Sequence, residues 1–145
     1  MERNRIRASA RAMRGFTLLE LLVVLLIIAL LASYVGPKVL SYAGRAKVQT
    51  AQTQMKALGD ALVKYRLDTG SYPSADQGLE ALVKAPAGVQ TWHGPYLAKD
   101  VPRDPWGNAY QYHVPGRDSE VEIVSLGADG RVGGEGDDTD LVYGL

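Results

Sequence analysis

The chain has 145 residues, with 16 basic and 16 acidic side chains, two histidines and no cysteine. That length bounds it to one modest domain once an apolar segment is set aside, and the missing cysteines exclude a disulfide framework and any thiolate zinc site. The zero net charge hides opposed ends: residues 1–15 hold Arg3, Arg5, Arg7, Arg11 and Arg14 against Glu2 alone, and the rest carries 11 basic and 15 acidic residues. This is not the footprint of a nucleic-acid binder.

An arginine-rich head before an apolar run fits the positive-inside rule, with the head cytoplasmic and the rest exported. From Phe16 to Val35 twenty residues are nearly all apolar, and Glu20 is the one carboxylate among them. A carboxylate at the centre of a membrane helix costs about 2.5–3.5 kcal/mol. Glu20 therefore either finds a partner or sits at the lipid boundary with its head group reaching water. Three fates compete for this end: a secretory signal cut near Ala32, an anchor that is never cut, or a leader cut at Gly15–Phe16 that leaves the apolar run on the mature chain.

Beyond Val35, apolar residues recur at Val48, Ala51, Met55, Leu58, Leu62 and Tyr65, in steps of three and four, while Lys47, Lys56, Lys64 and Arg66 fall off that face. The spacing predicts one helix from about Phe16 to Asp68, lipid-facing first and half-buried later. At 1.5 Å per residue it spans about 80 Å. Gly36-Pro37 is expected to interrupt it, since proline removes a backbone hydrogen bond and kinks or loosens a helix. A cleaved signal would waste this continuity. Gly70 can take the left-handed cap and Pro73 forbids resumption.

The remainder reads as a small α+β domain. "SADQGLEALVKAP" predicts a short helix with Ser74 as N-cap and Gln77 at the capping-box position. Residues 87–108 read as loop, punctuated by glycine and proline, with Trp106 of "PRDPWGN" expected to pack on the sheet. "AYQYHV" and "SEVEIVSL" read as strands joined by a Pro115-Gly116 turn, with Tyr110, Tyr112 and Val114 alternating toward the helix stripe. His93 and His113 are too isolated for a metal pair or an acid–base dyad. No Ser–His–Asp order, P-loop or nucleotide-binding glycine motif occurs, so nothing argues for catalysis.

The segment "LGADGRVGGEGDDTDL", residues 126–141, gathers Asp129, Glu135, Asp137, Asp138 and Asp140 with five glycines and one Arg131. Oxygen-rich flexible loops suit calcium, but the EF-hand spacing is absent, and a single RTX-like repeat cannot build a β-roll. A solvated acidic loop is the equal alternative on composition.

"RGFTLLELLVVLLIIALLA" resembles a type IV prepilin leader and N-terminal helix, with Gly15 before the cut, Phe16 after it, Glu20 in the first turn and Pro37 further along. "YRLDTGSYPSADQGLEALV", "GPYL", "PRDPWGNAYQY" and "SLGADGRVGGEGDDTDL" are similar to the major pseudopilins of type II secretion systems, so the likeness runs from Arg14 to Leu141. The departures are the final "VYGL", in place of an aromatic tail, and a rather long leader.

The resemblance implies an α+β pilin-like fold, a long N-terminal α-helix packed on a small C-terminal antiparallel β-sheet. Its expected divisions are a leader at 1–15, a transmembrane and filament-core helix at 16–35, an amphipathic continuation at 36–69 and a globular domain at 70–145. It implies a non-enzymatic filament subunit that is cut and N-methylated at Phe16 by a prepilin peptidase. That subunit would assemble as a homo-oligomeric helical filament, with minor pseudopilins and an inner-membrane assembly platform as partners and no nucleic acid. The globular domain would lie in the periplasm of a Gram-negative cell, below a single pass of the inner membrane, and the filament would drive folded proteins across the outer membrane. Glu20 would neutralise the new amine of a neighbouring subunit. The resemblance also implies a structural calcium ion (Ca2+), held by carboxylates of Asp129 and of one or more of Asp137, Asp138 and Asp140, and by the carbonyls of Leu126 and Arg131. A type IV pilin for adhesion or motility is the second reading, although those usually close a C-terminal loop with a disulfide. A monomeric membrane-anchored binding protein is a more distant one.

Overall fold

The computed structural model describes residues 15–145; the arginine-rich head at 1–14 and the side chains of Pro37 and Leu40 lie outside that description. Helix α1 spans Leu18–Thr69. Strands β1 (Gln111–His113), β2 (Glu122–Ser125) and β3 (Leu141–Gly144) form one antiparallel sheet in the order β1-β2-β3. Cross-strand partners include Tyr112 with Ile123 and Ile123 with Tyr143. The chain divides into two units, one ending at Leu40 and one covering Ser41–Leu145.

In the first unit, α1 carries an 18-residue window of mean hydropathy 2.8, long and apolar enough to cross a membrane, with none of it buried. α1 does not break at Gly36 and Pro37: the helix continues through both. A proline removes one amide donor and leaves its neighbours' hydrogen bonds available, so its presence alone does not end a helix held on both sides. At the far end Gly70 adopts φ 87° and its N–H reaches the Arg66 carbonyl at 2.7 Å, which is the expected glycine stop.

The second unit has its core where the periodicity put it. Met55, Leu58, Leu62 and Tyr65 of α1 pack with Leu79, Leu82, Tyr110, Val121 and Ile123, all 7% exposed or less. Each such large side chain contributes about 1.5–3 kcal/mol by leaving water. The Tyr110 hydroxyl donates to Gln54 Oε1 at 2.6 Å, and that of Tyr112 to the Pro73 carbonyl at 2.9 Å. Both phenols thus bury their rings without leaving an unpaired polar atom, and burial pushes both hydroxyls well above the ordinary tyrosine range.

Two further expectations need correction. The "SADQGLEALVKAP" segment forms its capping box, with Ser74 N–H on Gln77 Oε1 at 3.0 Å and Gln77 N–H on Ser74 Oγ at 3.4 Å. It then turns through Gly78, at φ 55°, into a 3-10 turn at Leu79–Leu82 rather than an α-helix. A glycine in a left-handed conformation cannot propagate a right-handed helix. Second, the indole packed against the core is Trp92, not Trp106; its Nε1 donates to the Ala81 carbonyl at 2.8 Å, and its ring meets Tyr96 edge-on. The final "VYGL", a departure from the resemblance, is built into the fold. It forms β3 and completes the sheet, with Tyr143 inward and Val142 outward. α1 accommodates this tail through Gly59, where a Cβ would lie 2.5 Å from Tyr143 Cε1.

Candidate functional site

Two regions stand out. At the head of α1, Phe16 is 78% exposed, and the apolar side chains from Leu18 to Val35, interrupted only by Glu20 and Ser33, are all exposed. The Glu20 N–H donates to Thr17 Oγ1 at 3.2 Å and the Leu21 N–H to the Thr17 carbonyl at 3.2 Å. Thr17 is therefore the N-cap and Glu20 the third helical residue, the Thr-x-x-Glu pattern of a capping box. That pattern was legible in "TLLE". Its consequence is that the Glu20 carboxylate lies in the first turn, where the helix dipole favours negative charge. Part of what makes a carboxylate tolerable in this run is its own helix.

The second region is the 126–141 loop. It folds back so that the Ala128 N–H donates to the Asp137 carbonyl at 2.9 Å. Gly127 (φ +65°) and Gly134 (φ +101°) press on the backbone around Asp138: a Cβ at either would meet it at 2.9 Å or less. No L side chain fits there without a shift. The Arg131 N–H caps Asp129 Oδ1 at 3.0 Å, and the Gly133 N–H caps Asp140 Oδ2 at 2.9 Å. The other oxygen of Asp140, Oδ1, is buried with no hydrogen-bond partner.

The expected ligands are therefore not all brought together. Asp129 and Asp140 hold two turns of the loop through backbone N–H groups. Asp138 packs its Cβ on Gly134. The Asp137 carboxylate faces away, against Gly44 of α1, where a Cβ would collide with it. Leu126, half-buried, follows β2 directly, and Arg131 is exposed. Among the described residues, no three acidic or histidine side chains converge as a metal cage.

The loop rests on a support that sequence reading missed. Asp104 is 4% exposed. Its Oδ1 accepts the N–H groups of Trp106 at 3.1 Å and Asn108 at 2.7 Å, and its Oδ2 accepts the buried Ser125 hydroxyl at 2.7 Å. Asn108 Nδ2 in turn donates to the Gly127 carbonyl at 2.8 Å. The Asp and Asn of "PRDPWGN" announce a turn, but nothing in that string names Ser125 or Gly127 as partners.

The histidines are structural or superficial. His93 is exposed, 3.9 Å from Asp68. His113 lies across the sheet from Glu122, with Nδ1 3.0 Å from Oε1. Glu122 is 3% exposed and also accepts the Arg117 N–H at 3.1 Å. The His113 hydrogen bond, then that N–H, hold its carboxyl below the ordinary glutamate range.

Known proteins resemble this chain over both its N-terminal segment and its globular unit. The family described as type II secretion system (T2SS), protein G matches residues 38–144, and the prokaryotic N-terminal methylation motif matches residues 10–35. The type II secretion system core protein G of Pseudomonas aeruginosa is 46% identical over 134 residues, covering 90% of this chain and 94% of that protein. The protein of the same name from Vibrio cholerae is 46% identical over 134 residues, covering 90% and 91%. That of Xanthomonas campestris pv. campestris is 38% identical over 144 residues, covering 99% of each. Among solved structures, the major pseudopilin of the type 2 secretion system of enterohaemorrhagic Escherichia coli superposes with a TM-score of 0.60 at 36% identity, over 67% of this chain and 84% of that one. These likenesses favour the secretion reading over a pilin for adhesion or motility. With its N-terminal methylation motif, its long α1 and its three-stranded sheet, the chain belongs to the type II secretion system protein G family, the major pseudopilins.

Proposed function

We propose that the chain is made as a precursor, cut by a prepilin peptidase between Gly15 and Phe16, and N-methylated at Phe16. The mature chain then packs through its apolar helix head into a helical filament, acting as a structural subunit rather than an enzyme. Before processing the arginine head is cytoplasmic, and the unit from Ser41 onward lies on the exported, periplasmic side. Minor pseudopilins and an inner-membrane assembly platform are the partners this assembly requires.

The observation that carries this reading is the exposure of the whole apolar head of α1. A run of that size needs lipid before assembly and other copies of itself afterward. Glu20 then has a use beyond suiting the helix dipole: it neutralises the ammonium that cleavage creates on Phe16 of an adjacent subunit. Two paired charges in lipid lose far less than two lone ones. The test is the intact mass of the mature chain, expected to begin at Phe16 with one added methyl group. A chain beginning near Ser33 overturns the prepilin reading, and one that keeps all five arginines reduces the head to an uncut anchor.

A structural calcium ion in the 126–141 loop belongs to the same reading. The orphaned, buried Asp140 Oδ1 supports it, because an ionised oxygen shut away from water without a partner calls for a cation. The residue types suit a hard ion: Asp129, Asp138 and Asp140 offer carboxylate oxygens and Leu126 and Arg131 backbone carbonyls, and the loop would draw them together as the ion binds. Asp137 stands outside the set because it faces Gly44. Bound calcium would neutralise the cluster and order a glycine-rich segment.

A further inference from the structure

We propose that Asn108 is a positioning residue for the cation loop, locked in place by the buried carboxylate of Asp104; the inference rests on the calcium reading above. Asp104 has every polar atom engaged. Besides the three bonds to its carboxylate, its N–H donates to the Asn108 carbonyl at 2.8 Å and its carbonyl accepts the Gly107 N–H at 2.9 Å. This closes residues 104–108 into a rigid turn and pins it to Ser125, the last residue of β2 and fully buried. Asn108 projects from that turn onto the next one. Its Nδ2 donates to the Gly127 carbonyl at 2.8 Å, and a Cβ at Gly130 would lie only 3.4 Å from its Oδ1. On its other side Gly127 abuts the backbone of Asp137 and Asp138. The 127–130 turn, which carries Asp129, is thus gripped between Asn108 and the 137–138 backbone.

Asn108 is no ligand in this scheme. Its effect is on the free loop. Five glycines give residues 126–141 a large conformational entropy to lose. A turn already held before the ion arrives removes part of that ordering cost from the binding step. Deleting the Asn108 amide should return it, weakening calcium binding by about tenfold, the size of one net hydrogen bond.

The experiment uses the full chain in detergent micelles. Calcium chloride is titrated calorimetrically into wild type and Asn108→Ala, and amide exchange is followed on the calcium-free chains. The expected results are a Kd raised about tenfold and faster exchange at Ala128 and Arg131, with wild-type rates kept in β2 and β3. Should Asn108→Ala fail to fold, Asn108→Asp keeps the shape and removes the donor, and its Ala128 and Arg131 amides should likewise exchange faster. An unchanged Kd beside a wild type that binds overturns the positioning role alone. Exchange that rises evenly across the sheet also overturns it, by making Asn108 merely structural. A wild type that takes up no calcium removes the calcium reading itself, and the positioning role with it.

Discussion

Replacing Asp140 by asparagine separates a calcium loop from a merely acidic one by the sign of its effect. The two side chains have nearly the same shape, so the Gly133 N–H keeps an acceptor. What changes is the buried Oδ1, which has no partner. Without a cation, wild type hides half of an ionised carboxylate, and a neutral amide there is the cheaper group to bury. In chelator, Asp140→Asn should therefore melt at or above the wild-type temperature. With calcium a hundredfold above Kd, wild type gains about 2.7 kcal/mol. For a unit the size of Ser41–Leu145, each kcal/mol moves Tm by about 4–8 °C, so calcium should raise the wild-type Tm by about 10–20 °C. Asp140→Asn loses a charged ligand and should lose most of that rise. The assay is calorimetric melting of the full chain in detergent, with calcium and with chelator, for both proteins. A wild-type melt indifferent to calcium refutes the reasoning. So does a variant that is destabilised equally in both conditions, since that would make the Asp140 carboxylate a support of the fold and not of an ion.

Glu20→Ala should insert in the membrane as well as wild type or better, since it removes a costly polar group, yet filaments counted by electron microscopy should fall sharply. Normal filament numbers would remove the intersubunit pairing with Phe16. Glu122→Gln tests the buried carboxylate on β2 through pH. Its folded pKa lies below the unfolded glutamate value, so its stabilisation is present above that value and fades as pH falls through the folded one. The variant should melt below wild type at pH 7, and the gap should close as pH drops below about 4.5; a gap constant from pH 7 to 3 would contradict it.

Local and periodic features were legible in the order of residues. The stripe from Val48 to Tyr65 needs only the 3.6-residue repeat to declare its face: Ala51 to Tyr65 of it are buried, and Val48, half-buried, lies at the edge. Gly70 stops α1, and Ser74 with Gln77 closes a capping box, because both depend on neighbours within a few residues. The apolar run and Glu20 likewise announce the head of the helix, and Thr17 three residues before completes its cap. Tertiary contact decided the rest. "VYGL" is too short to declare itself a strand, and becomes β3 because β2 offers it an edge and Gly59 leaves room for Tyr143. Trp92 rather than Trp106 reaches the core because the 86–97 loop folds over Ala81. The acidic string could not rank Asp137, Asp138 and Asp140, since composition treats like charges alike. Folding gives them different surroundings, turning Asp137 to Gly44 and burying one oxygen of Asp140, because only packing determines which carboxylate loses its water.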